Sequence, residues 1–221
     1  MSSNVYLASD YLEVIEYYFH QGLTDGLPIV PPTPNRVNQF LECSKLQQND
    51  IIGTTPVGNI PITAEKVAIN SLMAGCLPEY MPVVVAGIKA MLEDKFSLNA
   101  TAASTSGASH LIIVGGPVVR DLDINFGANL FGPTKRSNAT IGRAIRLILI
   151  NVCGAVPGIL DRSTLGNPGK YTSCIAEDET LSPWSPIRCE FGLPKEGNAV
   201  TAFACYAPVQ VSDHRSNNPE Q

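Results

Sequence analysis

The apolar positions between Thr134 and Gly154, in TKRSNATIGRAIRLILINVCG, follow a helical period. Ile141, Ile145, Ile148 and Val152 recur at spacings of four, three and four, and so share one face. Leu147, Leu149 and Ile150 make the second half apolar on nearly every side, the pattern of a helix buried among several neighbours. The spacing predicts a helix over 138–153, with Asn138 as N-cap and Gly154 as the left-handed residue that stops it. Arg143 and Arg146 interrupt the pattern on a common side, just after Lys135 and Arg136. A helix N-terminus and a guanidinium fork both suit an anion. The alternative is that the arginines snorkel to water or pair with the chain's acidic excess.

The rest of the chain reads around this helix. A first helix over 10–21 carries a capping pattern of Asp10 with Glu13 and is closed by Gly22. The prolines of TDGLPIVPPTP cannot continue it, and Pro34 opens a second helix with Val37, Phe40 and Leu41 inward. DIIGTT reads as a short strand, and Thr63 starts a helix that runs to Ala74 and ends at Gly75. Pro78 fits the first turn of the next, which continues through VVVAGIKAML. Phe96, Leu98, Ala100 and Ala102 alternate as in a half-buried strand, and LIIV before Gly115 reads as a fully buried one. Further strands are expected over 170–176, 187–191 and 199–206. In the first of these, alternation puts Tyr171 and Ser173 on one face and Lys170, Thr172 and Cys174 on the other. Helices early and strands late predict an α+β fold, a mixed sheet packed by helices. It occupies one domain over 1–211, with a disordered polar tail over 212–221.

Composition narrows the partners. The chain has 221 residues, 44% of them hydrophobic and 16% charged, with net charge −5. The acidic balance argues against nucleic acid, and no apolar run is long enough to span a membrane. The low charge implies that part of the surface is covered, most simply in a homo-oligomer. The N-terminus shows no secretion signal, so the six cysteines read as reduced thiols in a cytoplasmic protein. No metal-ligand spacing and no nucleotide fingerprint is present, so neither a metal nor another cofactor is implied.

Candidate chemistry falls into three groups. Cys76 lies where one helix ends and the next begins at Pro78, a position at which free N–H groups lower a thiol pKa. Glu79 and Tyr80 follow as proton relays, while the alternative makes Cys76 a small core residue. Lys170 and Tyr171, with Cys174 and Glu177 behind them, form a polar-tipped segment. Ser106 in STSGASH precedes a buried strand and has His110 nearby, but no acidic third member and no GxSxG, which weakens a serine hydrolase.

The stretches DGLPIVPPTP, AINSLMAGCLPEYMPVV, LFGPTKRSNATIGRAIRLILIN, GAVPG and NPGKYTSCIAEDE, in this order, resemble the N-terminal region of the UGSC-motif (seleno)protein family of bacteria. The similarity covers residues 22 to 190. It implies a redox or thiol-linked enzyme, with Cys76, Glu79, Tyr80, Asn138, Arg143, Lys170, Tyr171, Cys174 and Glu177 inside the matching segments. The chain departs from the family in lacking the Cys-Gly-Ser-Cys motif; CGAV at Cys153 is its nearest approach. The expectation is therefore an enzyme on a small anionic substrate, with Arg143, Asn138, Ser106 and Glu177 binding and Cys76, Glu79, Tyr80, Lys170, Tyr171 and Cys174 catalytic. The alternative is a non-catalytic subunit of a redox partner protein.

Overall fold

Eight α-helices and five strands form among residues 3–214, the part that this computed structural model describes. The chain passes through α1 (Tyr11–His20) and α2 (Pro34–Ser44) into an antiparallel hairpin of β1 (Ile51–Thr54) and β2 (Pro61–Thr63). Then come α3 (Ala64–Ala74), α4 (Met81–Leu92), the short α5 (Leu98–Ala102), β3 (Ser109–Gly115) and α6 (Val118–Asp121). The central helix α7 (Arg136–Asn151) precedes β4 (Cys174–Ala176), α8 (Ile187–Glu190) and β5 (Ala199–Cys205). In the larger sheet β3 lies in the middle, parallel to β4 and antiparallel to β5. The architecture is α+β with a mixed sheet, as the order of elements predicts.

The apolar stripe of α7 organises the core. Ile141, Ile145, Leu147 and Ile148 are fully buried, each worth about 1.5–3 kcal/mol of transfer free energy. Along it packs α3, with α2 behind, and α4 covers the same core from the side. A Cβ on Gly87 would come within 2.9 Å of Ile145 Cδ1, so the glycine lets α4 cross α7 closely. The caps follow the residues expected: the Thr63 hydroxyl accepts from Lys66 N at 3.4 Å, and Gly75 closes α3 with φ 93. At α1 the Asp10 carboxylate accepts from Glu13 N, and the Glu13 carboxylate reaches back to Ser9 N.

Several expectations need correction. The central helix begins at Arg136, not at 138, so Asn138 lies inside the first turn and is not the N-cap. It is buried, with Oδ1 accepting from Asn125 N at 2.7 Å and Nδ2 donating to Cys174 O at 3.0 Å. Residues 96–102 are the end of a 3-10 turn and α5: Phe96 and Leu98 are buried, Ala102 is partly buried against the core and Ala100 is exposed. Residues 187–191 open as the short helix α8. The strand expected from 170 starts only at Cys174; Pro168–Lys170 form a 3-10 turn in which Gly169 N donates to the Asn167 side chain. The disordered tail expected over 212–221 falls, from 215 onward, outside the described residues.

Candidate active site

The two arginines of α7 reach different surroundings. Arg143 grips the loop after α1, whose DGLP sequence places a carboxylate and two carbonyls in reach. Its Nε and Nη2 donate to the two oxygens of Asp25 at 2.8 Å each. Nη2 also donates to Leu27 O and Pro28 O, at 3.2 and 2.9 Å, and Nη1 to Ala74 O at 3.4 Å. Asn151, two turns on, donates to Leu23 O at 2.9 Å and to Asn70 Oδ1 at 2.7 Å. The expected carboxylate clamp is thus already filled by the protein's own Asp25, and Arg143 is a scaffold residue.

Arg146, one turn further on, borders a cavity of about 950 Å³. The walls come from α7, the 157–171 loop, Thr24 and Asp25, and the segment after β5. Arg146 is 7% exposed, and its one hydrogen bond among the described residues runs from Nη2 to Asp161 Oδ2 at 3.1 Å. Asp161 is itself buried and accepts from Lys170 Nζ at 2.9 and 2.7 Å. Lys170 Nζ also donates to Ser163 Oγ at 2.7 Å. All three ammonium protons are therefore engaged, whereas Nε and Nη1 of Arg146 have no protein partner among the described residues.

Local sequence explains how the loop is held. Asp161 Oδ1 accepts from both N and Oγ of Ser163, at 3.2 and 2.7 Å, an Asx turn written into DRS. Three consecutive carbonyls of the STSGAS segment then receive this loop. Thr164 N donates to Thr105 O at 3.0 Å, Ser163 Oγ lies 2.6 Å from Ser106 O, and Asn167 Nδ2 donates to Gly107 O. Beyond it, Thr172 Oγ1 donates to Ala139 O at 2.8 Å. A Cβ on Gly142 would collide with that hydroxyl and come within 2.6 Å of Ser173 N, so only glycine lets the segment lie against α7. At the rim, Tyr206 places its hydroxyl 2.8 Å from Ser106 Oγ.

The charges follow from this packing. Burial raises the Asp161 carboxyl, but the Lys170 ammonium and the Ser163 donors outweigh it and bring the group down to about 2. Burial pushes the His110 imidazole down to about 4, helped by the nearby Arg146 and Lys170 and opposed by the Gly142 carbonyl. His110 is neutral, with Nε2 buried and unpartnered.

Of the expected site residues, the fold brings Lys170, Tyr171 and Ser106 to this cavity or its rim. The others lie elsewhere. Cys76 is 3% exposed, and burial pushes its thiol up to about 12 despite a hydrogen bond to Thr140 and the nearby Arg136 and Arg143. That reverses the low pKa expected at the helix junction: the thiol is sealed from water, and the chain takes a 3-10 turn there before α4. Cys174 is also buried, and burial raises its pKa. Tyr80 is buried, whereas Glu79 is exposed. Glu177 accepts from Ile187 N at 2.9 Å at the start of α8, away from the cavity. The sequence reading missed Asp161, Ser163 and Tyr206, and it chose Arg143 over Arg146. The Asx pattern of DRS was the one local signal available. Searches of protein-family models, curated proteins and solved structures return no match to this chain.

Proposed function

We propose that the protein is an enzyme that binds a small carboxylate-bearing substrate on Arg146 and performs acid–base chemistry in the adjoining cavity. The observation that carries this reading is the Arg146 guanidinium, nearly buried on the cavity wall with a single hydrogen bond among the described residues. Arg146 shares its one carboxylate partner with Lys170, so the group carries a positive charge in excess, and a substrate carboxylate can take the Nε or Nη1 donor that Asp161 leaves open. Lys170, its three protons spent on Asp161 and Ser163, fixes the carboxylate that positions Arg146 and so acts on the substrate through Arg146. Tyr206 with Ser106, and Tyr171 on the same wall, offer hydroxyls that give or accept a proton. Cys76, Cys174 and Glu79 take no part. The test is a set of small carboxylic acids incubated with the full chain in D2O and followed by NMR. Deuterium appearing next to a bound carboxylate, and abolished in both Arg146→Gln and Lys170→Met, is the expected result. Exchange that is untouched by either substitution sinks the reading.

A second reading keeps the cavity as a binding site and makes the chain a cytoplasmic subunit, either a homo-oligomer or the companion of a redox protein. It is favoured by Val5, Leu7, Leu12 and Phe19, which are all exposed near the start of the chain. In the described residues no helix is long and apolar enough to cross a membrane. Carboxylate binding without exchange, together with a mass well above 23.6 kDa by light scattering, supports this second reading.

A further inference from the structure

The charges lining the cavity do not balance, and the imbalance points to a particular kind of ligand. We infer that the cavity takes a monocarboxylate with an apolar body, its carboxylate on Arg146 and its body along Leu165, Tyr171, Tyr206 and Val209. The inference rests on the site proposed above and narrows its substrate class. Arg146 and Lys170 are the cations of the lining, and they share the one carboxylate of Asp161. Asp25, the other acid on the wall, is already neutralised by Arg143. One positive charge is therefore left over, at the Arg146 end.

The donors say the same. Lys170 has spent its three protons on Asp161 and Ser163, so a second anionic group would meet no free cation. Phosphate or a dicarboxylate carries more charge than this lining matches. Away from Arg146 the walls are largely apolar: Ile150, Pro157, Leu165 and Val209 contribute no donor or charge, and Tyr171 and Tyr206 add ring faces. Such a surface rewards methylenes and rings, with roughly threefold to fourfold tighter binding for each methylene buried.

The experiment is titration calorimetry on the full chain with acetate, hexanoate, octanoate and 3-phenylpropionate, against hexan-1-ol, succinate and inorganic phosphate. Affinity should climb from acetate through hexanoate to octanoate, and hexan-1-ol, succinate and phosphate should bind at least tenfold more weakly than hexanoate. Arg146→Lys keeps the charge without the fork and should lose about tenfold for every carboxylate, with its melting temperature confirming the fold. Leu165→Ser, at a side chain 95% exposed, should weaken octanoate severalfold and leave acetate unchanged. Succinate or phosphate binding more tightly than hexanoate, yet lost in Arg146→Lys, overturns the monocarboxylate inference and leaves the anion site standing. Carboxylate binding that survives both Arg146→Lys and Arg146→Gln overturns the site itself.

Discussion

Arg143 and Arg146 stand one turn apart on the same helix and are put to opposite uses. Arg143 makes five hydrogen bonds, two to a carboxylate and three to carbonyls, all within the protein. Arg146, the more deeply buried of the two side chains, makes one among the described residues. Equal charge and equal helix face thus say little about role. What decides it is how many donors the fold itself consumes, because a buried guanidinium with donors to spare is poised for something that is not yet there.

The largest expected effect tests this contrast directly. Arg143→Gln would leave Asp25, whose side chain is 4% exposed, as an uncompensated buried charge, at a cost of roughly 3–5 kcal/mol. Arg146→Gln leaves Asp161 with Lys170 and both Ser163 donors, so its cost should be about 1 kcal/mol. Urea melts of the two variants compare them. Equal costs, or a reversed order, would erase the distinction between scaffold and site.

Next in size is a pH dependence that belongs to the Arg146 end. The unfolded chain takes up a proton on His110 near pH 6.5, whereas the folded protein holds it neutral down to about 4. Protons therefore favour unfolding across that window, and stability falls by roughly 3 kcal/mol as pH drops from 6.5 to 4. Asp161 adds a second loss at lower pH, since its contribution is full above 3.8 and fades as pH falls toward about 2. Denaturant midpoints measured from pH 7 to 4 should slope downward, and His110→Gln should flatten that slope. An unchanged slope would mean that the imidazole is hydrated in the folded protein.

Gly142 precedes both arginines on α7, and here the limits of reading a sequence show in physical terms. The period of α7, the proline and threonine starts of α2 and α3, and the apolar runs of β3 and β5 are local properties, and all of these elements were legible. The segment 96–102 alternates, but no strand pairs with it, and it folds as a turn and a short helix that bury Phe96 and Leu98 and leave Ala100 exposed. Lys170, Tyr171 and Ser106 were found as polar residues beside apolar runs. Asp161 and Ser163 were not, because the bonds from their loop to Thr105, Ser106 and Gly107 join segments more than fifty residues apart. Nor could spacing tell Arg143 from Arg146, since the partner that occupies Arg143 is Asp25, 118 residues earlier. The same holds for Gly142, whose need appears only once Thr172 and Ser173 lie against it. Gly142→Ala should cost about 1–3 kcal/mol by overpacking, which thermal melts can read. A neutral result would mean that the 172–174 segment moves away from α7 easily.

The smallest expected change in stability concerns the corner beside Arg143, and it asks whether that end is scaffold alone. Cys76 lies there, against Thr140, Arg136 and Arg143, with a thiol that burial holds at about 12. A thiol reacts as thiolate and needs access, and this one has neither at neutral pH. Brief iodoacetamide treatment followed by peptide mapping should label exposed Cys43 first, and Cys76 and Cys174 only after denaturation. Cys76→Ala should cost about 1 kcal/mol or less, removing a sulfur from a packed corner, and leave carboxylate binding at Arg146 unchanged. Rapid native labelling of Cys76, slowed by a carboxylate, would put a reactive thiolate beside Arg143. The helix would then be functional at the end assigned to scaffold, and the contrast between its two arginines would fail.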